Sequence, residues 1–221
     1  MAQRLPMLAV LALAAASVAS ADNHELPEPV KEWVDGGKYI KHRDLDVFVH
    51  SSGEAPVEGE GVLVVHGYPG SSWDFSNVVA KVEKETKIVV PDMIGFGQSE
   101  TPLTGTFKDN FSLMKQADLY EAVAASEGLK TVVLVAHDMG QTVGLELMAR
   151  QEDGKLPFRI KHAILLNGST VVDLIQTTPG QDASLKLPDK ALTEDPPREE
   201  WYKDLTGTYG KKMHARKDDL Q

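Results

Sequence analysis

Asp138 stands at the centre of Ala136-His137-Asp138-Met139-Gly140: a small residue, any residue, an acid, any residue, a small residue. The apolar run 132–136 before it reads as a buried strand, and 141–150 after it reads as a helix. This is the spacing of a strand–turn–helix elbow, with Asp where G-x-S-x-G places its serine. So sharp a turn tolerates only small flanking side chains, and it lifts the middle residue above the carboxyl end of a sheet. A carboxylate held there can attack carbon and form an ester. The alternative is a polar turn residue whose carboxylate caps the helix behind it.

Two further segments end apolar runs in the same way. His66-Gly67-Tyr68-Pro69-Gly70-Ser71-Ser72-Trp73 follows the run 61–65, and its glycines can aim a backbone N–H at the elbow. Asp92-Met93-Ile94-Gly95-Phe96-Gly97-Gln98-Ser99 follows 87–90 and permits a sharp return. His66 and His137 flank turns and read as hydrogen-bonded scaffold, Asp92 as a carboxylate pinning its loop, and Ser71 and Ser72 as cap residues. No G-x-S-x-G occurs in the chain, which disfavours a serine esterase.

The elements needed to bring these loops together follow from the periodicity. Residues 22–35 read as a polar leader on the surface. Segments 38–42 and 46–50 alternate around Arg43-Asp44 as a hairpin, and 72–83 is expected to be a helix. Strand 87–90, helix 110–127 stopped by Gly128, strand 131–136, helix 141–150 and strand 160–166 complete the order β-β-β-α-β-α-β-α-β. That alternation implies an α/β fold, a doubly wound and mainly parallel sheet with the hairpin at one edge. Three segments are expected: 1–21 as a signal peptide, 22–172 as the core, and 173–221 as the start of a helical lid.

Composition bounds the function. The net charge of −10 disfavours nucleic acid and anionic membranes as partners. Residues 1–21 join a basic start, an apolar alanine-rich run and an Ala19-Ser20-Ala21 cleavage site, so an exported protein is expected. The chain has no cysteine, which excludes thiolate metal sites and thiolate catalysis. Neither a metal cluster nor a phosphate loop is evident, so no cofactor is implied.

The segments HGYPGSSWDF (66–75), PDMIGFGQS (91–99) and AHDMG (136–140) resemble the α/β-hydrolase fold, and within it the Asp-nucleophile group of epoxide hydrolases and haloalkane dehalogenases. With LNGS (166–169), they also look like a subgroup related to mesoderm-specific transcript protein. The resemblance implies that Asp138 attacks an electrophilic carbon and forms an alkyl-enzyme ester, which a His-activated water then hydrolyses. It implies the backbone N–H groups of Tyr68 and Met139 as oxyanion donors.

Two departures from the pattern matter. Dehalogenases place Trp after the nucleophile to hold the leaving halide, whereas Met139 has no donor, which weakens halide chemistry more than epoxide chemistry. Asn167 and Gly168 stand where some members place the supporting acid. The family order continues through lid, acid and a late His, and the only His beyond His162 is His214, in a basic lid-like stretch. The chain is therefore expected to be the N-terminal part of a hydrolase acting on an epoxide or related small molecule. Haloalkane hydrolysis, or a non-catalytic remnant needing a partner, are the alternatives. Strand 160–166 is then an apolar sheet edge through which the protein is expected to self-associate.

Overall fold

The computed structural model describes residues 26–102 and 111–168. The expected signal peptide, the lid segment and His214 lie outside the described residues. Two compact units, Met1–Glu32 and Trp33–Gln221, divide the chain, and the elbow belongs to the second.

Six strands form one sheet in the order β1-β2-β4-β3-β5-β6, with β1 (Lys38–His42), β2 (Leu45–Ser52), β3 (Glu60–Val65), β4 (Ile88–Pro91), β5 (Thr131–His137) and β6 (Arg159–Leu166). Strands β1 and β2 form the expected edge hairpin, whose turn residues Arg43 and Asp44 take φ of 50° and 66°. Two successive positive φ values match the twist of a two-residue hairpin turn. Strand β2 pairs antiparallel with β4, and β4, β3, β5 and β6 run parallel. This is the mainly parallel α/β sheet expected from the alternating elements.

The sheet is buried on both faces where it matters, so β3 reads as a continuous apolar run rather than an alternating one. Leu63 and Val65 enter one apolar cluster, with Val123, Val143 and Leu147, and Val64 enters another, with Phe48, Val79 and Ile88. Each fully buried Leu or Phe contributes about 1.5–3 kcal/mol of transfer free energy.

The helices differ from the sequence reading in detail. Helix α1 (Glu28–Asp35) forms within the segment read as a polar surface leader, for which no helix was expected. Its proline, Pro29, lies in the first turn, where a missing N–H costs nothing. Trp33 stacks on His50 at 3.5 Å and donates its indole N–H to Ser72 Oγ at 3.1 Å. The segment after β3 is a 3-10 turn (Ser72–Phe75) leading into α2 (Ser76–Val82), because a capping box between Ser71 and Asp74 tightens the entry. Ser71 is the cap; Ser72 instead donates its N–H to Asp92.

Helix α3 (Leu113–Ser126) starts three residues later than the sequence suggests, at an N-cap Ser112. It ends as expected before Gly128, at φ 67°, with Leu129 N–H bonded to Ala124 O and Gly128 N–H to Ala125 O. Helix α4 (Met139–Glu152) follows β5 directly.

Ion pairs lock the flanks. Glu127 is nearly buried against Lys38 (2.6 Å), Lys87 (2.8 Å) and the Ser51 hydroxyl (2.8 Å). Arg150 joins α4 to α3 through Asp118 and Glu121 and pairs with Glu146 on its own helix, each at 2.7 Å. Among the described residues β6 ends the sheet, with Ile164 48% and Leu166 39% exposed.

Candidate active site

The elbow predicted between residues 136 and 140 is present. Strand β5 ends at His137, helix α4 begins at Met139, and Asp138 between them holds φ 54° and ψ −126°. Residues in such sparsely populated regions cost on the order of 1–3 kcal/mol and persist only where their surroundings hold them. The holding contacts are close. A Cβ on Gly140 would lie 2.2 Å from the His66 carbonyl oxygen and 2.6 Å from that of Val65. Ala136 is fully buried, and a Cβ on Gly144 would meet its methyl at 3.0 Å. The small residues flanking the acid are therefore dictated by the crossing of α4 over β3 and β5.

Asp138 occupies the N-cap position of α4 yet makes no capping hydrogen bond with its side chain. That removes the capping alternative, since a capping carboxylate must accept from the second or third helical N–H. Its Oδ1 accepts the Tyr68 N–H at 2.9 Å, and its own N–H donates to Leu166 O at 2.8 Å. Oδ2 has no hydrogen-bond partner among the described residues. Met139 is the first residue of α4, so its N–H has no acceptor within the helix. The Tyr68 amide and the expected acid thus meet at the carboxyl ends of β3 and β5, with Met139 next in sequence to the acid.

The loop after β3 approaches Asp138 only because Gly67 lacks a side chain: a Cβ there would sit 2.5 Å from Asp138 Cβ. Tyr68, 60% exposed, sets its ring edge-on to Phe96, which in turn packs edge-on against His66.

The loop after β4 is fixed by buried polar side chains. Asp92 accepts the N–H groups of Ser72 (2.6 Å) and Gln98 (2.8 Å), which is the pinning role its sequence position suggested. His66, fully buried, accepts the Met93 N–H at Nε2 (2.9 Å), so its proton resides on Nδ1 and donates to Gly67 O (3.0 Å). Burial pushes its pKa below the ordinary histidine value. His66 is therefore a neutral scaffold imidazole with both nitrogens in use. Asp74 is held above the ordinary carboxylate range, chiefly by burial.

Gln116 escaped the sequence reading. It accepts the Ile94 N–H (3.0 Å) and donates to Ile94 O (3.1 Å), clamping that residue from α3. Its signal was a polar residue in line with Leu113, Tyr120 and Val123 on an otherwise apolar helix face. Asn167 and Gly168 follow β6 beside the elbow. Asn167 takes φ 55° and Gly168 N–H donates to Gln141 Oε1 (3.0 Å), so this corner is a turn with no carboxylate in it. Among the described residues no three His, Asp or Glu converge as metal ligands, and no helix is long and apolar enough to cross a membrane.

Comparison with known proteins agrees with this geometry. The model of the alpha/beta hydrolase fold matches residues 61–187. LipZ of Mycobacterium tuberculosis is 39% identical over 153 residues, covering 69% of this chain and 50% of that protein. The mesoderm-specific transcript homolog protein of Bos taurus is 29% identical over 150 residues, covering 65% and 43%. The structure of an epoxide hydrolase from Vigna radiata superimposes with a TM-score of 0.52 at 24% identity, covering 68% of this chain and 46% of that one. The chain spans about half the length of the curated relatives it matches. With its elbow, its two glycine loops and a family model covering more than half its length, this chain belongs to the α/β-hydrolase family.

Proposed function

We propose that the protein is a hydrolase in which Asp138 attacks an electrophilic carbon, an epoxide or a related small molecule, and forms an alkyl-enzyme ester. The observation that carries this reading is the carboxylate itself. It sits on a backbone conformation that costs energy, makes no cap bond, and has one oxygen seated on an amide while the other is unengaged among the described residues.

The division of labour between the oxygens follows from that geometry. Oδ2 bonds to a ring carbon, the epoxide carbon–oxygen bond breaks with its electron pair on the ring oxygen, and that oxygen takes a proton from solvent. The product is a hydroxyalkyl ester whose carbonyl oxygen is Oδ1, already on the Tyr68 N–H. When water adds to the ester carbon, charge develops on Oδ1, where the Tyr68 and Met139 amides oppose it. Water loses its proton to a base, the tetrahedral adduct collapses, and a diol leaves as the Asp138 carboxylate is restored. His66 cannot be that base, because both ring nitrogens are engaged.

Epoxides are favoured over alkyl halides because Met139 brings no side-chain donor to a leaving halide. The test is intact-mass analysis after incubation with styrene oxide. The reading predicts one adduct of the probe's mass, mapped to Asp138 and abolished by Asp138→Ala. A well-folded protein that gains no mass refutes it.

A further inference from the structure

We infer that His66 is a positioning residue: its imidazole holds the carbonyl end of the Gly67–Tyr68 peptide unit whose amide end grips Asp138. The inference rests on Asp138 being the nucleophile.

Gly67 O and Tyr68 N–H belong to one rigid plane and point in opposite directions within it. His66 Nδ1–H engages the first at 3.0 Å, and Asp138 Oδ1 engages the second at 2.9 Å. The unit needs such a hold. Gly67 must lack a Cβ for the loop to approach Asp138, and that same absence leaves the peptide free to rotate about the glycine. Pro69 stiffens the far side of Tyr68, so the glycine side is the one that needs an external restraint.

The imidazole can supply that restraint because it cannot turn. Nε2 is tied to the Met93 N–H, Phe96 packs edge-on against the ring at 5.4 Å, and the side chain is fully buried. The Met93 loop is itself immobilised at the next residue by Gln116. A hydrogen bond to the carbonyl also polarises the peptide and strengthens its N–H as a donor. One side chain thus carries order from α3 and β4 to the amide that faces the reacting carboxylate.

Three variants of the full chain separate this role from core filling. His66→Phe keeps a ring and loses both bonds. His66→Asn keeps a donor where Nδ1 stands and gives up the Met93 acceptor. His66→Gln keeps a reach suited to Met93. Two readouts are taken on each folded protein: the proton shift of the Tyr68 amide, and the rate at which the Asp138 ester formed with styrene oxide is hydrolysed. Phe and Gln are expected to move the Tyr68 resonance upfield and slow ester hydrolysis about tenfold or more, as for a weakened oxyanion donor. Asn is expected to keep the native resonance and a rate within about threefold of native, although it too loses thermal stability. A folded Phe or Gln variant with native shift and native rate overturns the inference, and so does an Asn variant as impaired as Phe. If the native protein forms no ester, the nucleophile reading fails on its own, and the Tyr68 shift alone decides the role of His66.

Discussion

Replacing Gly140 by alanine tests whether the elbow is packed as described. The added Cβ would lie 2.2 Å from His66 O and 2.6 Å from Val65 O. Carbon and oxygen rarely approach within about 3.3 Å. Roughly 1 Å of relief is therefore required, and both opposing atoms are backbone at the end of β3, which is paired on one side with β4 and on the other with β5. Neither can yield as a flexible side chain would, so the first turn of α4 must lift and the Asp138 turn must open. Overpacking of this kind costs about 1–3 kcal/mol and occasionally more. Alanine also gains about 1 kcal/mol over glycine in a helix, which offsets part of that cost. Gly144→Ala is the internal control. It lies one turn further along the same helix, gains the same propensity, and places its Cβ 3.0 Å from the Ala136 methyl, a contact that a shift of a few tenths of an ångström relieves. The Gly140 variant should be less stable than the Gly144 variant by about 2 kcal/mol. At about 2–4 °C per kcal/mol, that is a difference in melting temperature of roughly 4–8 °C. Thermal unfolding followed by far-UV circular dichroism measures it, and melting temperatures within about 1 °C of each other would refute the close crossing of α4 over β3.

Other outcomes follow from the same geometry. Gly67→Ala, whose Cβ would meet Asp138 at 2.5 Å, should abolish ester formation on a protein that still folds, as seen by intact mass and near-UV dichroism. Met139→Trp adds an indole donor beside the nucleophile and should raise the rate with 1-bromobutane about tenfold, with the styrene oxide rate little changed, because a hydrogen bond to a charged leaving group is worth about 1.5–3 kcal/mol. Stability should fall on acidification in two stages. His42, His50 and His66 have folded pKa values pushed down, first of all by burial, so the unfolded state binds protons more readily and stability drops as pH falls below the ordinary histidine value. Glu127 is pushed up by burial but pulled down further by Lys38, Lys87 and Ser51, so its contribution is present above the ordinary Glu value and is lost as pH falls through the folded one. Urea titrations from pH 7.5 to 2.5 check both, and a stability that rises on acidification contradicts them.

Much of this was legible in the amino-acid order because backbone sterics write directly into residue type. The spacing of Ala136 and Gly140 around Asp138 announces a turn crossed closely by its neighbours, and the contacts beneath Gly140 are the cause of that signal. The apolar runs of β3, β4 and β5 announce strands covered on both faces. Other features left weaker traces. Helix α1 was masked by two prolines, because local propensity does not reveal that Trp33 has a stacking partner in His50 and a hydrogen-bond acceptor in Ser72. The single helix expected over 72–83 became a 3-10 turn and a helix, since the reciprocal bonds of Ser71 and Asp74 shape the entry more than periodicity does. The partners of His66 and Gln116 were hidden for a general reason: a buried polar side chain is chosen to satisfy backbone groups distant in sequence, and sequence shows the side chain without its acceptor.

The central claim is that the carboxylate at the crest of the elbow makes a covalent bond to carbon. The most direct measurement is peptide mapping by tandem mass spectrometry of the native protein and of Asp138→Ala after brief exposure to styrene oxide. The account predicts a single hydroxyphenylethyl ester on Asp138, released by mild alkali and missing from the variant. Modification spread equally over exposed carboxylates, or an unchanged adduct on the variant, contradicts it.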